Sequence, residues 1–360
     1  MADPRAARQA ALVAILPDGV DVLLVTHLPN IRWLTGFSGS AGMLLVGADR
    51  RILITDFRYA AQAPREVGDA AEVIIDRASV WDRLRRVLEG YARSTLAIEG
   101  HVTPVRDAER VSALFHGRVT PVVDLVEQLR QSKDDTEVRA IRAAAELATD
   151  ALAEVLPGIA VGDTELQIAA RLEYALRRRG SEWHPFQTIV ASGPRAALPH
   201  ARSSERKVAQ GEFLLIDFGA QLDGYCSDIT RTVAIGTVDE RQRAVYDLVR
   251  ESQLNARTEI RAGMTGREAD ALARDLIAAR GYGDAFGHSL GHGLGLEVHE
   301  APRLAATADA VLPVGAVVTI EPGIYLSGWG GVRLEDDVLL ADGGPVLLSD
   351  GRTDLIILDA

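Results

Sequence analysis

The sequence predicts a small α/β domain up to about residue 130, followed by a larger α+β domain whose helices cover a mainly antiparallel sheet. Three observations carry this expectation. The chain has 360 residues, more than one domain of ~150 residues ordinarily uses. Short β-rich runs alternate with helical stretches before residue 125, whereas long helices and β-rich stretches segregate after residue 136. A largely polar run, residues 124–135, lies between the two patterns and places the boundary.

In chain order, the apolar runs 10–16 and 20–25 flank Pro17-Asp18-Gly19 and are expected to form a β-hairpin. The same Pro-Asp-Gly interrupts the first run too early for a signal peptide. Residues 42–46 and 51–55 read as paired strands, and Ser79 as the N-cap of a helix to about Glu89 with Val80, Leu84, Val87 and Leu88 on one side. Residues 94–99 return as a strand. In the second domain, helices are expected over residues 136–155 (capped by Asp135 or Thr136), 163–179, 240–261 and 267–280. The two helix pairs share similar linkers, Gly158-Ile159-Ala160-Val161-Gly162 and Gly263-Met264-Thr265-Gly266, a faint sign of internal duplication.

Composition narrows the function classes. Apolar residues make up 47% and charged residues 25%, which suits a packed globular chain and excludes disorder. The net charge of −12 and the lack of a dense Lys/Arg run argue against a nucleic-acid partner. The single cysteine, Cys226, excludes an intrachain disulfide and a thiolate metal cluster. No apolar run approaches the ~18 residues of a membrane helix, so no membrane association and a cytoplasmic location are expected.

Four segments carry chemistry. In the first, residues 214–230, Asp223-Gly224 is a strong hairpin-turn dipeptide. With those two residues as the loop, Asp217 faces Thr230, and Asp228 lies on the same face, diagonal to Asp217. Asp217 follows the apolar run 213–216, and buried like charges are costly unless a cation neutralises them. The second segment, residues 287–300, holds His288, His292 and His299 among glycines, which let backbone approach a ligand. In the third, Glu321 ends an apolar run and precedes Pro322-Gly323, a turn that presents a side chain. In the fourth, Arg333 and Glu335 share a strand face; in isolation a surface ion pair explains them equally well.

Asp217, Asp228, His292, Glu321 and Glu335 together supply four carboxylates and one imidazole. Hard oxygen donors with a single nitrogen suit Mn²⁺, Co²⁺, Fe²⁺ or Zn²⁺, and four carboxylates exceed what one ion needs. A two-metal hydrolytic site follows, in which the ions bind and deprotonate a bridging water and polarise a scissile carbonyl.

Asp-x₁₀-Asp, the His-x₃-His-x₆-His run, Glu-Pro-Gly and Arg-x-Glu, in this order, resemble the pita-bread metallopeptidases. These are aminopeptidase P, prolidase and, more distantly, methionine aminopeptidase and creatinase. The stretch Asn30-Ile31-Arg32-Trp33-Leu34-Thr35-Gly36-Phe37 extends the resemblance to the creatinase-type N-terminal domain. The resemblance implies an α+β pita-bread catalytic domain over residues 131–360, with an internal pseudo-two-fold, preceded by a creatinase-type α/β domain over residues 1–130. It implies that Asp217 chelates one ion, that Asp228 and Glu335 bridge two, and that His292 and Glu321 complete the shell of the other.

By the same resemblance Glu321 doubles as the general base and His299 hydrogen-bonds the substrate carbonyl. His200 and His288 line a proline pocket, and Arg333 orients Glu335, with Tyr325 nearby. The implied cofactor is a pair of divalent ions, Mn²⁺ foremost, with Co²⁺, Zn²⁺ or Fe²⁺ as substitutes. The implied substrates are proline-containing peptides, and the implied assembly is a homodimer.

Creatinase lacks the metal carboxylates, methionine aminopeptidase lacks so large an N-terminal domain, and non-catalytic binding proteins of this fold lose ligands. An Xaa-Pro aminopeptidase, similar to small bacterial aminopeptidase P relatives, is therefore the expectation, with an Xaa-Pro dipeptidase as the alternative. A dipeptidase needs a cation for the proline carboxylate, and Arg303 is the candidate unless Glu300 pairs with it. Asn30 and Trp33 are candidates for specificity.

Overall fold

The computed structural model describes residues 3–359, which divide into two compact units, one ending at Arg130 and the other beginning at Gln131. The first unit contains, in order, α1 (Pro4–Ala14), β1 (Val22–Val25), α2 (Leu28–Thr35), β2 (Met43–Gly47), β3 (Arg51–Asp56) and α3 (Gln62–Val67). It continues with β4 (Glu72–Asp76), α4 (Val80–Leu88), β5 (Thr95–Glu99), α5 (Val105–Leu114), β6 (Arg118–Val122) and α6 (Leu125–Arg130). The six strands form one sheet in the order β4-β3-β2-β1-β5-β6. β1 pairs antiparallel with β2 and parallel with β5, which in turn pairs parallel with β6.

Alternate strand residues Val22, Leu24, Leu45, Ile52, Leu96 and Ile98 pack against Leu84, Leu88, Val111 and Phe115 of α4, α5 and the residue that ends α5. Ser79 caps α4 as expected, its side chain accepting from the Asp82 N–H.

Two expectations for this unit need correction. Residues 4–14 are helix, not the first arm of a hairpin. Asp3 caps that helix by accepting from the Arg5 N–H, Pro4 fits its first turn, and Gln9 and Leu12 are buried. Pro-Asp-Gly therefore ends a helix rather than turning a ribbon. Asn30 and Trp33 are not presented outward for specificity. Asn30 is fully buried, donating to Glu99 and Glu127 and accepting from Arg130. Trp33 is buried with the Arg8 guanidinium 5.0 Å from its ring centre.

The second unit opens with α7 (Asp135–Val155) and α8 (Glu165–Arg178), followed by β7 (Ile189–Ser192), β8 (Phe213–Phe218), β9 (Gln221–Leu222), β10 (Tyr225–Cys226) and β11 (Ile229–Ile235). Helices α9 (Glu240–Glu259) and α10 (Gly266–Ala279) then precede β12 (Gly291–Gly293), β13 (Glu300–Leu304), β14 (Val317–Ile320) and β15 (Gly323–Leu326). The chain closes with β16 (Gly330–Arg333), β17 (Asp336–Ala341), β18 (Gly344–Leu347) and β19 (Ile357–Leu358).

The main sheets run β19-β11-β8-β7 and β13-β12-β14-β17-β18. One apolar core joins α7 and α8 to the first, and a second joins α9 and α10 to the other. The duplication hinted at by the linkers is visible in detail. Thr164 and Thr265 each form a capping box at the second helix of a pair, and each also makes an isolated antiparallel bridge, to Lys207 and Val311. Among the described residues no helix is long and apolar enough to cross a membrane.

Behind β11 a buried ionic network fixes the chain around Glu335. Arg231 donates to the Glu335 carbonyl at 2.6 Å, to Asp336 at 2.8 Å and to Asp350 at 2.7 Å. Asp336 also accepts from Gln253, Arg257 and Ser349. Removing one partner of a buried pair strands the other charge, at a cost of ~3–5 kcal/mol. Arg231→Met is therefore expected to destabilise the protein by ~3–5 kcal/mol in denaturant unfolding. A change below ~1 kcal/mol, the worth of an exposed pair, would mean that the network is not structural.

Candidate metal centre

The Asp223-Gly224 turn sets the first half of the site. Both residues have positive φ, 49° and 78°, as a tight two-residue turn requires. The resulting register pairs Leu222 with Tyr225 and Asp217 with Thr230, the pairing that the turn dipeptide predicts. Asp217 thus sits on β8, and Asp228 just before β11. On the other half, β12 carries His292, and the ladder with β13 is irregular between His292 and Gly293. Only glycine fits beside that histidine: a Cβ on Gly291 would lie 2.0 Å from the Thr319 carbonyl oxygen, and one on Gly293 2.1 Å from that of Ala301. Glu321 follows β14, and Glu335 links β16 to β17.

These side chains converge. Nε2 of His292 lies 3.7 Å from Asp228 Oδ2 and 3.4 Å from Glu321 Oε1. Asp228, His292 and Glu335 each offer a donor atom within 4.8 Å of the others. The His292 Nδ1 faces the Gly293 carbonyl at 3.1 Å, which leaves Nε2 for the cluster. The His299 ring sits edge-on to His292 with centroids 4.4 Å apart. His288 bonds the Tyr325 hydroxyl at 2.8 Å, and its Nδ1 is 4.0 Å from Glu321 Oε2. His200 is exposed, yet close enough to bear electrostatically on both His288 and His299.

Arg333 departs from expectation. It is buried, not part of a surface pair, and its guanidinium bonds Asp217 directly. It bears electrostatically on Glu335 and is linked to it through Thr230, whose hydroxyl accepts from Arg333 Nε at 3.1 Å and donates to Glu335 at 2.6 Å. Arg333 also donates to the Tyr325 hydroxyl at 2.8 Å. Sequence reasoning passed over Thr230 and Thr319. The Thr319 hydroxyl accepts from the His292 N–H at 3.1 Å and donates to Glu321 at 3.3 Å. A threonine two residues before a site glutamate on one strand face is a signal that was available; the Thr230–Glu335 contact spans 105 positions and has none.

The electrostatics call for a cation. Burial, then repulsion from Glu335 and Asp217, pushes the Asp228 carboxyl far above its ordinary value. Glu335 is raised likewise by burial and by Glu321 and Asp217. Burial carries Glu321 to about 8. The same desolvation lowers His292 to about 4, so the imidazole is neutral and free to ligate. Asp217 Oδ1 is buried without a hydrogen-bond partner, while its other oxygen is held by Arg333. Four crowded carboxylates, an orphaned carboxylate oxygen and a neutral imidazole fit a pair of divalent ions.

A fold of two duplicated helix-and-sheet halves around such a donor set defines the class as a hydrolase of the pita-bread type. Residues 139–342 match the model of metallopeptidase family M24, and residues 8–132 that of the creatinase/prolidase N-terminal domain. The chain belongs to the M24 metallopeptidases. It is 35% identical over 341 residues to an Xaa-Pro dipeptidase of Pyrococcus horikoshii, covering 94% of this chain and 95% of the relative. Among solved structures it resembles an Xaa-Pro dipeptidase from Bacillus anthracis, with TM-score 0.95 and 38% identity over 98% of this chain and all of that one. It also resembles an X-Pro aminopeptidase from Thermotoga maritima, with TM-score 0.92, 38% identity and the same coverage.

Proposed function

We propose that this chain hydrolyses the peptide bond preceding proline and that Xaa-Pro dipeptides are its preferred substrates. The observation that carries the second half is the place of Arg303. The β12–β13 ladder sets Arg303 directly opposite His292, so both side chains leave the same face of the sheet. Arg303 is exposed there, and Glu300, the expected competitor, is engaged by Lys133 at 3.2 Å and by the Glu297 N–H at 2.9 Å. A guanidinium on that face suits the free carboxylate of a dipeptide. The two Xaa-Pro dipeptidases named above favour this reading over the aminopeptidase expected from sequence. The similar X-Pro aminopeptidase keeps longer peptides as the second reading.

Asp217, Asp228, His292, Glu321 and Glu335 would hold two divalent ions, which supply water activation and carbonyl polarisation when bound. The remaining work falls to the chain. Glu321 takes the proton of the attacking water and delivers it to the proline nitrogen, which carries no hydrogen of its own in the peptide. His299 donates to the oxygen that becomes negative as the carbonyl turns tetrahedral. His288, fixed by Tyr325, and His200 shape the wall against the proline ring.

Rates on an Xaa-Pro dipeptide and an Xaa-Pro-Yaa tripeptide test the proposal. A hydrogen bond to a charged group is worth ~1.5–3 kcal/mol, so Arg303→Ala is expected to raise KM for dipeptides by ~10–10²-fold and to leave tripeptides nearly unaffected. Tripeptides cleaved as well as dipeptides, with Arg303→Ala indifferent, would return the aminopeptidase reading.

A further inference from the structure

We propose that the N-terminal unit has a divalent-metal site of its own, of the zinc type, formed by His27, His101, Asp124 and Glu127. Two imidazoles and two carboxylates are a donor set that tetrahedral Zn²⁺ accepts. Donor atoms of His101, Asp124 and Glu127 all lie within 4.8 Å of one another, and His27 joins the group through Glu127. Metal–donor bonds of ~2.0–2.2 Å place tetrahedral ligands ~3.3–3.6 Å apart. His101 Nε2 lies 3.1 Å from Glu127 Oε1 and 3.5 Å from Asp124 Oδ1, and His27 Nδ1 lies 3.6 Å from Glu127 Oε1.

Hydrogen bonding between neutral imidazoles and carboxylates is the competing explanation, and it leaves one feature unexplained. Glu127 Oε2 is shielded from solvent and has no hydrogen-bond partner.

Topology supplies an independent argument. His27 follows β1, His101 follows β5, and Asp124 follows β6, so the donors gather at the carboxyl ends of three adjacent parallel strands. From β1 the sheet extends toward β2 on one side, and from β5 toward β6 on the other. Open α/β sheets bind ligands in the crevice at such a reversal. Asn30, buried beneath, donates to Glu127 Oε1 at 2.6 Å and orients it as an outer-shell partner would. His101 and Asp124 reach solvent, which gives an ion a route in.

The test is zinc binding by the full-length protein, measured by equilibrium dialysis with elemental analysis. Wild type is expected to hold one more Zn²⁺ per chain than His101→Ala, while both hydrolyse peptide at the same rate. Asp124 is largely solvent-exposed, so Asp124→Asn disturbs folding little and serves as the second variant. Its affinity for that Zn²⁺ should fall at least tenfold, with an unchanged melting temperature in metal-free buffer. Equal zinc stoichiometry and affinity in wild type and both variants would overturn the proposal.

Discussion

Glu321→Gln is expected to lower kcat for Xaa-Pro hydrolysis by ~10²–10⁴-fold, the range that a positioned proton carrier contributes. Glutamine keeps the shape and can still accept from the Thr319 hydroxyl, as Glu321 does at 3.3 Å. It cannot take a proton. Burial raises Glu321 to about 8 in the metal-free site, and a cation beside it would pull that value down and keep the carboxylate ionised, ready to accept the proton. Bound metal should be assayed beside the rate, because His292 Nε2 stands 3.4 Å from the same carboxylate. A variant that holds its metal and turns over at the wild-type rate would remove Glu321 as the base.

Asp228→Asn should cost nearly all activity by a different route, through loss of bound metal. Asp228 lies among Glu335, Asp217 and Glu321, and without a cation these buried carboxyls resist ionisation. Asparagine imitates the protonated acid, so the metal-free variant should melt at or above the temperature of metal-free wild type. Added Mn²⁺ or Co²⁺ should then stabilise wild type strongly and the variant little, since a ligand stabilises only the form that binds it. Chelation of wild type should abolish activity, with either ion restoring it. Full activity in a preparation shown to be free of metal would defeat the two-ion reading.

How far these sites could be read in advance depended on how local their determinants are. The β8–β11 hairpin was legible to the residue because Asp223-Gly224 fixes a two-residue turn, and a turn fixes every partner along the ladder. The helix caps were legible to within a residue or two; the long helix is capped by Asp134 and not by Asp135 or Thr136. The first helix was misread because its cap, Asp3, sits at the very start of the chain, while Pro17-Asp18-Gly19 advertises a turn. The partners of Arg333 were hidden for another reason. Its bond to Asp217 joins positions 116 apart, and residue spacing within one segment cannot report which distant strand it will meet.

The same turn ties the cluster to chain length. Asp217 and Asp228 face one way only because the residues between them fold evenly about Asp223-Gly224, with the Ser227 N–H donating to the Ala220 carbonyl and the Ala220 N–H to the Ser227 hydroxyl. Side chains alternate along a strand, so one inserted or deleted residue in that stretch turns one aspartate to the far side of the sheet. The segment therefore tolerates a change of side chain at a half-buried point such as Gln221 or Leu222 far better than a change of length, while Asp223 keeps the positive φ of the turn. An insertion is accommodated without moving a donor only in loops whose ends carry none.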